Sequence, residues 1–183
     1  MTRSSWQFYT GTDGNGSPAW SKNIASKKPV LQDDRRVYTN TNNSVMNPKD
    51  MTVISQGSIV YNKALNRYIY TSWAEYTFEF YEAPKPWGPW KRFLTKDYGA
   101  YPWTDLKNGG YSTTIPSKFI STDGKTMYVQ SNTFMGGANN YCFSLRKLVV
   151  EPYVSSTASN TKNNNNRALP ANSQGVKPIC KSN

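Results

Sequence analysis

The chain has 183 residues and carries 22 Lys and Arg against 11 Asp and Glu, a formal charge of +11, with no histidine at all. Without histidine, Ser-His-Asp and Cys-His catalysis are excluded and the commonest metal ligand is gone. Two cysteines, Cys142 and Cys180, cannot build a zinc site by themselves, and no apolar run approaches the 18 or so residues of a membrane-spanning helix.

These features set expectations for partners. No metal, no cofactor and no membrane are expected. The basic residues are scattered rather than clustered and accompany no nucleic-acid reading module, so nucleic acid is not expected either. A scattered positive charge suits a solvated surface that tolerates anionic polymers. Cys142 sits in a strand-like alternation and Cys180 in a polar tail. That placement argues against a mutual disulfide, although an oxidising compartment would permit one.

Taken in order, the chain opens on Trp6–Thr10, a strand that starts almost at the first residue. Thr12–Pro18 is dense in turn formers, and Ala19-Trp20-Ser21 resumes the sheet. Lys27–Leu31 leads to Asp33-Asp34-Arg35-Arg36 and a polar loop, Asn40–Asp50. From Met51 to Phe93 the pattern predicts four short antiparallel strands: Val53–Tyr61, Arg67–Trp73, Thr77–Ala83 and Trp90–Phe93. In the third, Phe78 and Phe80 share one face, with Glu79 and Tyr81 on the other. Trp87-Gly88-Pro89-Trp90 reads as a packing corner fixed by Gly and Pro.

Lys96–Gly110 is a long connection. Tyr111–Ile120 is the next predicted strand, Asp123-Gly124 a hairpin signal, and Thr126–Asn132 its return. After the Gly/Asn loop Met135–Asn139, Tyr141–Val150 alternates well. From Ser155 the composition turns to Ser, Thr, Asn and Lys. Residues 154–183 therefore read as a linker or disordered tail.

WQFYTG, RYIYTSW and TMYVQSN look like the same strand of successive units, with centres at Tyr9, Tyr70 and Val129 spaced by roughly 60 residues. A four-stranded meander of this size is one blade of a β-propeller. The expected fold class is therefore all-β: a partial, incomplete propeller of about two and a half four-stranded antiparallel blades over residues 1–153. A closed ring needs more blades than this chain supplies. Met1 is accordingly expected to be an internal start and the chain the C-terminal part of a longer protein. That would also account for the missing signal peptide in Met1–Gly11.

GSIVYNKALNRYIYTSW, FEFYEAPKPWGPW, GGYSTTIPSKFISTDGKTMYVQSNTF and YCFSLRKL, with WQFYTG, SPAWS and KKPVL upstream, resemble the C-terminal blades of the bacterial and fungal family termed domain of unknown function 4185. The resemblance runs from about Trp6 to Val150 and omits the first two blades or so. It implies a five-bladed ring of the sugar-hydrolase type, a secreted full-length protein, and a polysaccharide or oligosaccharide ligand, since some members are endo-D-arabinanases acting on mycobacterial cell-wall arabinan. It also implies that the missing blades, or a further C-terminal domain, are partners of this piece.

Glycoside hydrolysis needs two carboxylates facing across one pocket, roughly 5 to 9.5 Å apart. Of the eleven in the chain, Asp13 and Asp123 suit turns, Asp97 and Glu151 sit in connections, and Glu79 reads as an outer-strand residue. The filter of an inner strand plus its entering loop leaves Asp33, Asp34, Asp50 and Asp105. Asp105 is the catalytic candidate, because Tyr101, Trp103 and Tyr111 accompany it. Gln56 and Ser58 on one inner strand, with Tyr111 and Ser112 on the next, are candidate sugar contacts, and Trp103 or Tyr111 would stack on a ring. The alternative is that these polar groups satisfy neighbouring blades. Three functional readings follow: part of a glycan hydrolase without turnover of its own, a non-catalytic carbohydrate-binding module, or a cationic protein adhering to anionic polymers.

Overall fold

The computed structural model describes residues 5–35, 53–74, 77–97, 111–134 and 141–152. It is all-β, with antiparallel sheets of two, four and three strands and no closed barrel or propeller identified. The first sheet pairs β1 (Phe8–Thr12) with β2 (Pro18–Ser21). The second has the order β3 (Gly57–Asn62), β4 (Arg67–Trp73), β5 (Thr77–Ala83), β6 (Lys91–Asp97), and the third the order β7 (Tyr111–Thr114), β8 (Thr126–Phe134), β9 (Tyr141–Val149). Two 3-10 turns, Ile24–Ser26 and Ser117–Phe119, punctuate the strands.

Within the four-stranded sheet, each strand follows the last through a local connection, as expected of alternating β-branched and aromatic residues without a helical period. Three boundaries differ from expectation for identifiable reasons. The run from Val53 enters the ladder only at Gly57, because side chains replace ladder bonds before it. The Ser55 amide donates to Ser72 Oγ at 2.8 Å, and the Tyr70 hydroxyl donates to the Ser55 carbonyl at 2.6 Å. The predicted strand Tyr111–Ile120 stops at Thr114, since Pro116 cannot donate to a ladder and instead precedes the 3-10 turn. The fourth strand is longer than expected, because β6 stays paired with β5 from Lys91 to Asp97.

The second and third sheets stack face to face, and the core lies between them: Ile69, Phe78 and Phe80 against Ile115, Met127, Val129 and Leu148. Met127 is completely buried, so its truncation to Ala would cost about 2–5 kcal/mol. Polar pins hold the two sheets in one relative register. Ser58 Oγ donates to Thr114 Oγ1 at 2.8 Å, Thr71 Oγ1 donates to the Thr113 carbonyl at 3.3 Å, and Asn62 Nδ2 donates to the Gly124 carbonyl at 2.8 Å. Arg146 lies over the Phe78 ring, 4.8 Å from its centre. Gly124 needs its positive φ of 73° for the hairpin, and a Cβ there would run into the Asn62 amide.

Register shows that the repeat is more than compositional. Tyr70 sits opposite Tyr81 and Ser72 opposite Glu79 in the second sheet; Val129 sits opposite Arg146 and Ser131 opposite Ser144 in the third. Ser72 and Ser131 are both fully buried and occupy the same place in RYIYTSW and TMYVQSN.

Candidate functional site

Because Gly57, Ser72, Glu79 and Thr95 are register partners, they form one row across the second sheet. The face carrying this row points away from the core between the sheets. Segment 31–35 crosses it and delivers Arg35. The Arg35 Nε donates to both oxygens of Asp33 at 2.9 and 3.0 Å. Its Nη2 donates to Asp33 Oδ2 and to Glu79 Oε2, each at 2.8 Å, and reaches the Tyr81 hydroxyl at 3.3 Å. Tyr81 in turn donates to Asp33 Oδ2 at 3.0 Å, and the Thr95 hydroxyl donates to Glu79 Oε2 at 2.7 Å. The Arg35 carbonyl accepts from the Val53 amide at 3.3 Å, so this segment is tied to the strand that follows.

Glu79 was expected on an outer strand with no special role. It lies instead on β5, an interior strand, and is 1% exposed. A carboxylate at that depth requires a charged partner, and Arg35 supplies it. Burial by itself would raise the Asp33 pKa. The hydrogen bonds from Arg35 and Tyr81 outweigh it and hold the carboxyl below the usual carboxylate range. Burial pushes the Tyr81 phenol well above its ordinary value, and the neighbouring Asp33 adds to that. Although burial opposes the charged form of Arg35, its bonds to Asp33 and Glu79 raise it above its normal value.

The other expected site residues fall into three groups. Ser58 is half-buried and spent on the Thr114 hydroxyl, so it serves the contact between sheets. Gln56 and Ser112 are exposed. Asp34 is exposed and accepts from the Gln32 side chain at 2.9 Å. Trp103, Asp105 and Asp50 lie outside the described residues, as does the side chain of Tyr111, whose backbone begins β7.

Gln56 lies one residue before β3, and Ser112 is the second residue of β7. The two strands meet where Ser58, the second residue of β3, bonds Thr114, the last residue of β7. In the chain, Gln56 and Ser112 each precede a partner of that bond by two residues. Ser112 has φ 55°, a left-handed conformation rare for serine, within an irregular stretch of pairing between Tyr111 and Thr114. Gln56 lies at the end of the second sheet that also carries the Glu79–Thr95 row. Segments 36–52 and 98–110, which contain Asp50, Trp103 and Asp105, join strands at the same end.

Sequence reasoning missed Arg35, Glu79, Tyr81 and Thr95 as a unit. The available signal was TFEFYEA, which is aromatic on both faces. A strand with two apolar faces is interior, and its glutamate must then meet a cation.

At the corner Trp87-Gly88-Pro89-Trp90, the Trp90 ring meets Tyr70 edge-on at 6.3 Å and its Nε1 donates to the Pro86 carbonyl. Among the described residues, no three His, Cys, Asp or Glu side chains are grouped to hold a metal ion. No family model matches the chain, and neither curated proteins nor solved structures give a match.

Proposed function

We propose that this chain is the C-terminal part of a secreted, glycan-directed propeller related to glycoside hydrolases, and that by itself it holds polysaccharide of the arabinan kind without turning it over. The observation that carries this reading is that Gln56 and Ser112 are both exposed polar residues, each two positions ahead of the Ser58–Thr114 bond that joins the second and third sheets. Gln56 lies at the end of the second sheet where β6 ends, ahead of the sequence that contains Trp103 and Asp105. Irregular pairing and a left-handed serine are features that re-aim side chains towards a ligand. The shared register of the second and third sheets, stacked face to face, supports their being successive blades of a ring.

Turnover is a different matter. A general acid needs a carboxyl held protonated, whereas Arg35 and Tyr81 favour the charged form of Asp33. A retaining or inverting pair would have to include groups in the connections or in blades beyond this chain.

The test is retention of the purified protein on immobilised arabinan, with soluble oligosaccharide as competitor and product release followed in parallel. Competable retention without released oligosaccharide is expected, weakened by Gln56→Ala. Steady turnover abolished by Asp105→Asn would overturn the non-catalytic part. Retention that vanishes with salt but ignores soluble sugar would favour adhesion by charge alone.

A further inference from the structure

We propose that Arg35 and Arg92 form a receptor for an oxyanion carried by the glycan, such as a uronate carboxylate or a sulfate or phosphate ester. The proposal rests on the glycan-binding reading and narrows the ligand. Both guanidinium groups converge on one hydroxyl. Thr95 Oγ1 accepts from Arg35 Nη1 at 3.5 Å and from Arg92 Nη1 at 3.2 Å, while its proton goes to Glu79. The two terminal nitrogens are therefore separated by no more than those two bonds laid end to end. One hydroxyl, its proton already committed, cannot use up the donors of two guanidiniums.

Arg35 is pre-set for this role. Its Nε and Nη2 are bound to Asp33 and Glu79, which fixes the plane of the group, and among the described residues Nη1 makes only the long contact to Thr95. The Arg35 side chain is 35% exposed, whereas the carboxylates beneath are at 14% and 2%. Of the three side chains, Arg35 is thus the one most open to solvent, and its counter-charges are the more buried partners. Among the described residues, Arg92 is exposed and no acceptor other than Thr95 reaches its guanidinium. Two such forks suit the planar or tetrahedral oxygens of an oxyanion better than a single neutral hydroxyl. A chain with net charge +11 adds attraction at long range.

The experiment compares retention on polygalacturonate, sulfated dextran and neutral arabinan for the intact chain and for Arg92→Met, Arg92→Lys, Lys91→Met and Lys147→Met. Arg92→Met is the primary variant because the Arg92 side chain is exposed, and its folding is checked by its melting temperature, which should not move. Expected are tighter retention on the two anionic polymers than on arabinan, and an affinity for them about tenfold lower in Arg92→Met. Arg92→Lys should recover only part of it, and arabinan retention should not change. Inorganic sulfate should displace polygalacturonate at an ionic strength where sodium chloride does not. Equal losses in Lys91→Met and Lys147→Met, or equal affinity for single-stranded DNA, would reduce the effect to diffuse charge and overturn the receptor. Equal affinity for arabinan and polygalacturonate would overturn it while leaving the glycan reading intact. Retention on none of the three would remove both.

Discussion

Ser58 Oγ and Thr114 Oγ1 meet at 2.8 Å across two different sheets, joining the strands that begin each of them. The bond is half-buried, so its partners are partly shielded from water. Removing one hydroxyl leaves the other to find a substitute, while removing both leaves nothing unsatisfied. Ser58→Ala and Thr114→Val should each destabilise by about 1 kcal/mol, and the double variant by less than their sum. Urea denaturation of the four species measures the coupling, and additive losses would show that the contact is incidental.

Glu79 has almost no access to water, and its fate depends on Arg35. Arg35→Met should cost about 3 kcal/mol, the low end for a broken buried pair because Arg35 itself is partly exposed. Glu79→Gln in the Arg35→Met background should restore part of that loss, since an amide is cheaper to bury than a carboxylate. A double variant less stable than Arg35→Met would mean that Glu79 draws its stabilisation from Thr77 and Thr95, which lie 3.1 and 2.7 Å away.

The same cluster predicts how stability varies with pH. Asp33 has its folded-state pKa lowered, so its contribution is present above the unfolded carboxyl value of about 4 and is lost as pH falls through the lower folded value. Tyr81 is shifted up. Its contribution holds below the unfolded phenol value of about 10 and is lost as pH rises beyond it. Melting temperatures should therefore drop below about pH 4 and above about pH 10. Asp33→Asn should flatten the acid limb and Tyr81→Phe the alkaline one. An acid limb unchanged in Asp33→Asn would assign it to other carboxyls.

At the far end of the same sheets, Asn62 is wholly buried, and its amide is fully used. Nδ2 donates to the Gly124 carbonyl, and Oδ1 accepts from the Leu65 amide at 3.2 Å. Asn62→Ala should cost about 1–3 kcal/mol for the unsatisfied groups it leaves. Gly124→Ala should cost at least as much, because a side chain there is both strained by φ and blocked by Asn62. Thermal melts would separate these from Asn66→Gly at the exposed turn, which should change little.

How much of this could be read from the sequence differs between fold and site. Strands β4 and β5 begin and end where alternation and turn residues put them, because period-two patterning is a local property. The site depended on contacts far apart in the chain. Arg35 and Glu79 are joined across many intervening residues, and no local pattern announces which cation a buried glutamate will meet. Ser58 shows the converse. A serine among apolar residues on an inner strand is equally compatible with holding a ligand and with holding the next sheet, and only stacking decides. Trp103 and Asp105 lie outside the described residues, so the part of the expected site they carry stands on sequence alone.

The matched registers of the two larger sheets have a consequence for how such units can be assembled. Opposite the buried serine of each sheet stands one variable position: Glu79 across from Ser72, and Ser144 across from Ser131. Ser144 shares its hydroxyl with Ser131 at 2.8 Å and presents no charge to the sheet in front of it. Glu79 presents one that only a guanidinium can answer. The two sheets are therefore not interchangeable bricks. Exchanging their places would take Glu79 away from the segment that carries Arg35, so this single position ties the second sheet to the stretch of chain that precedes it.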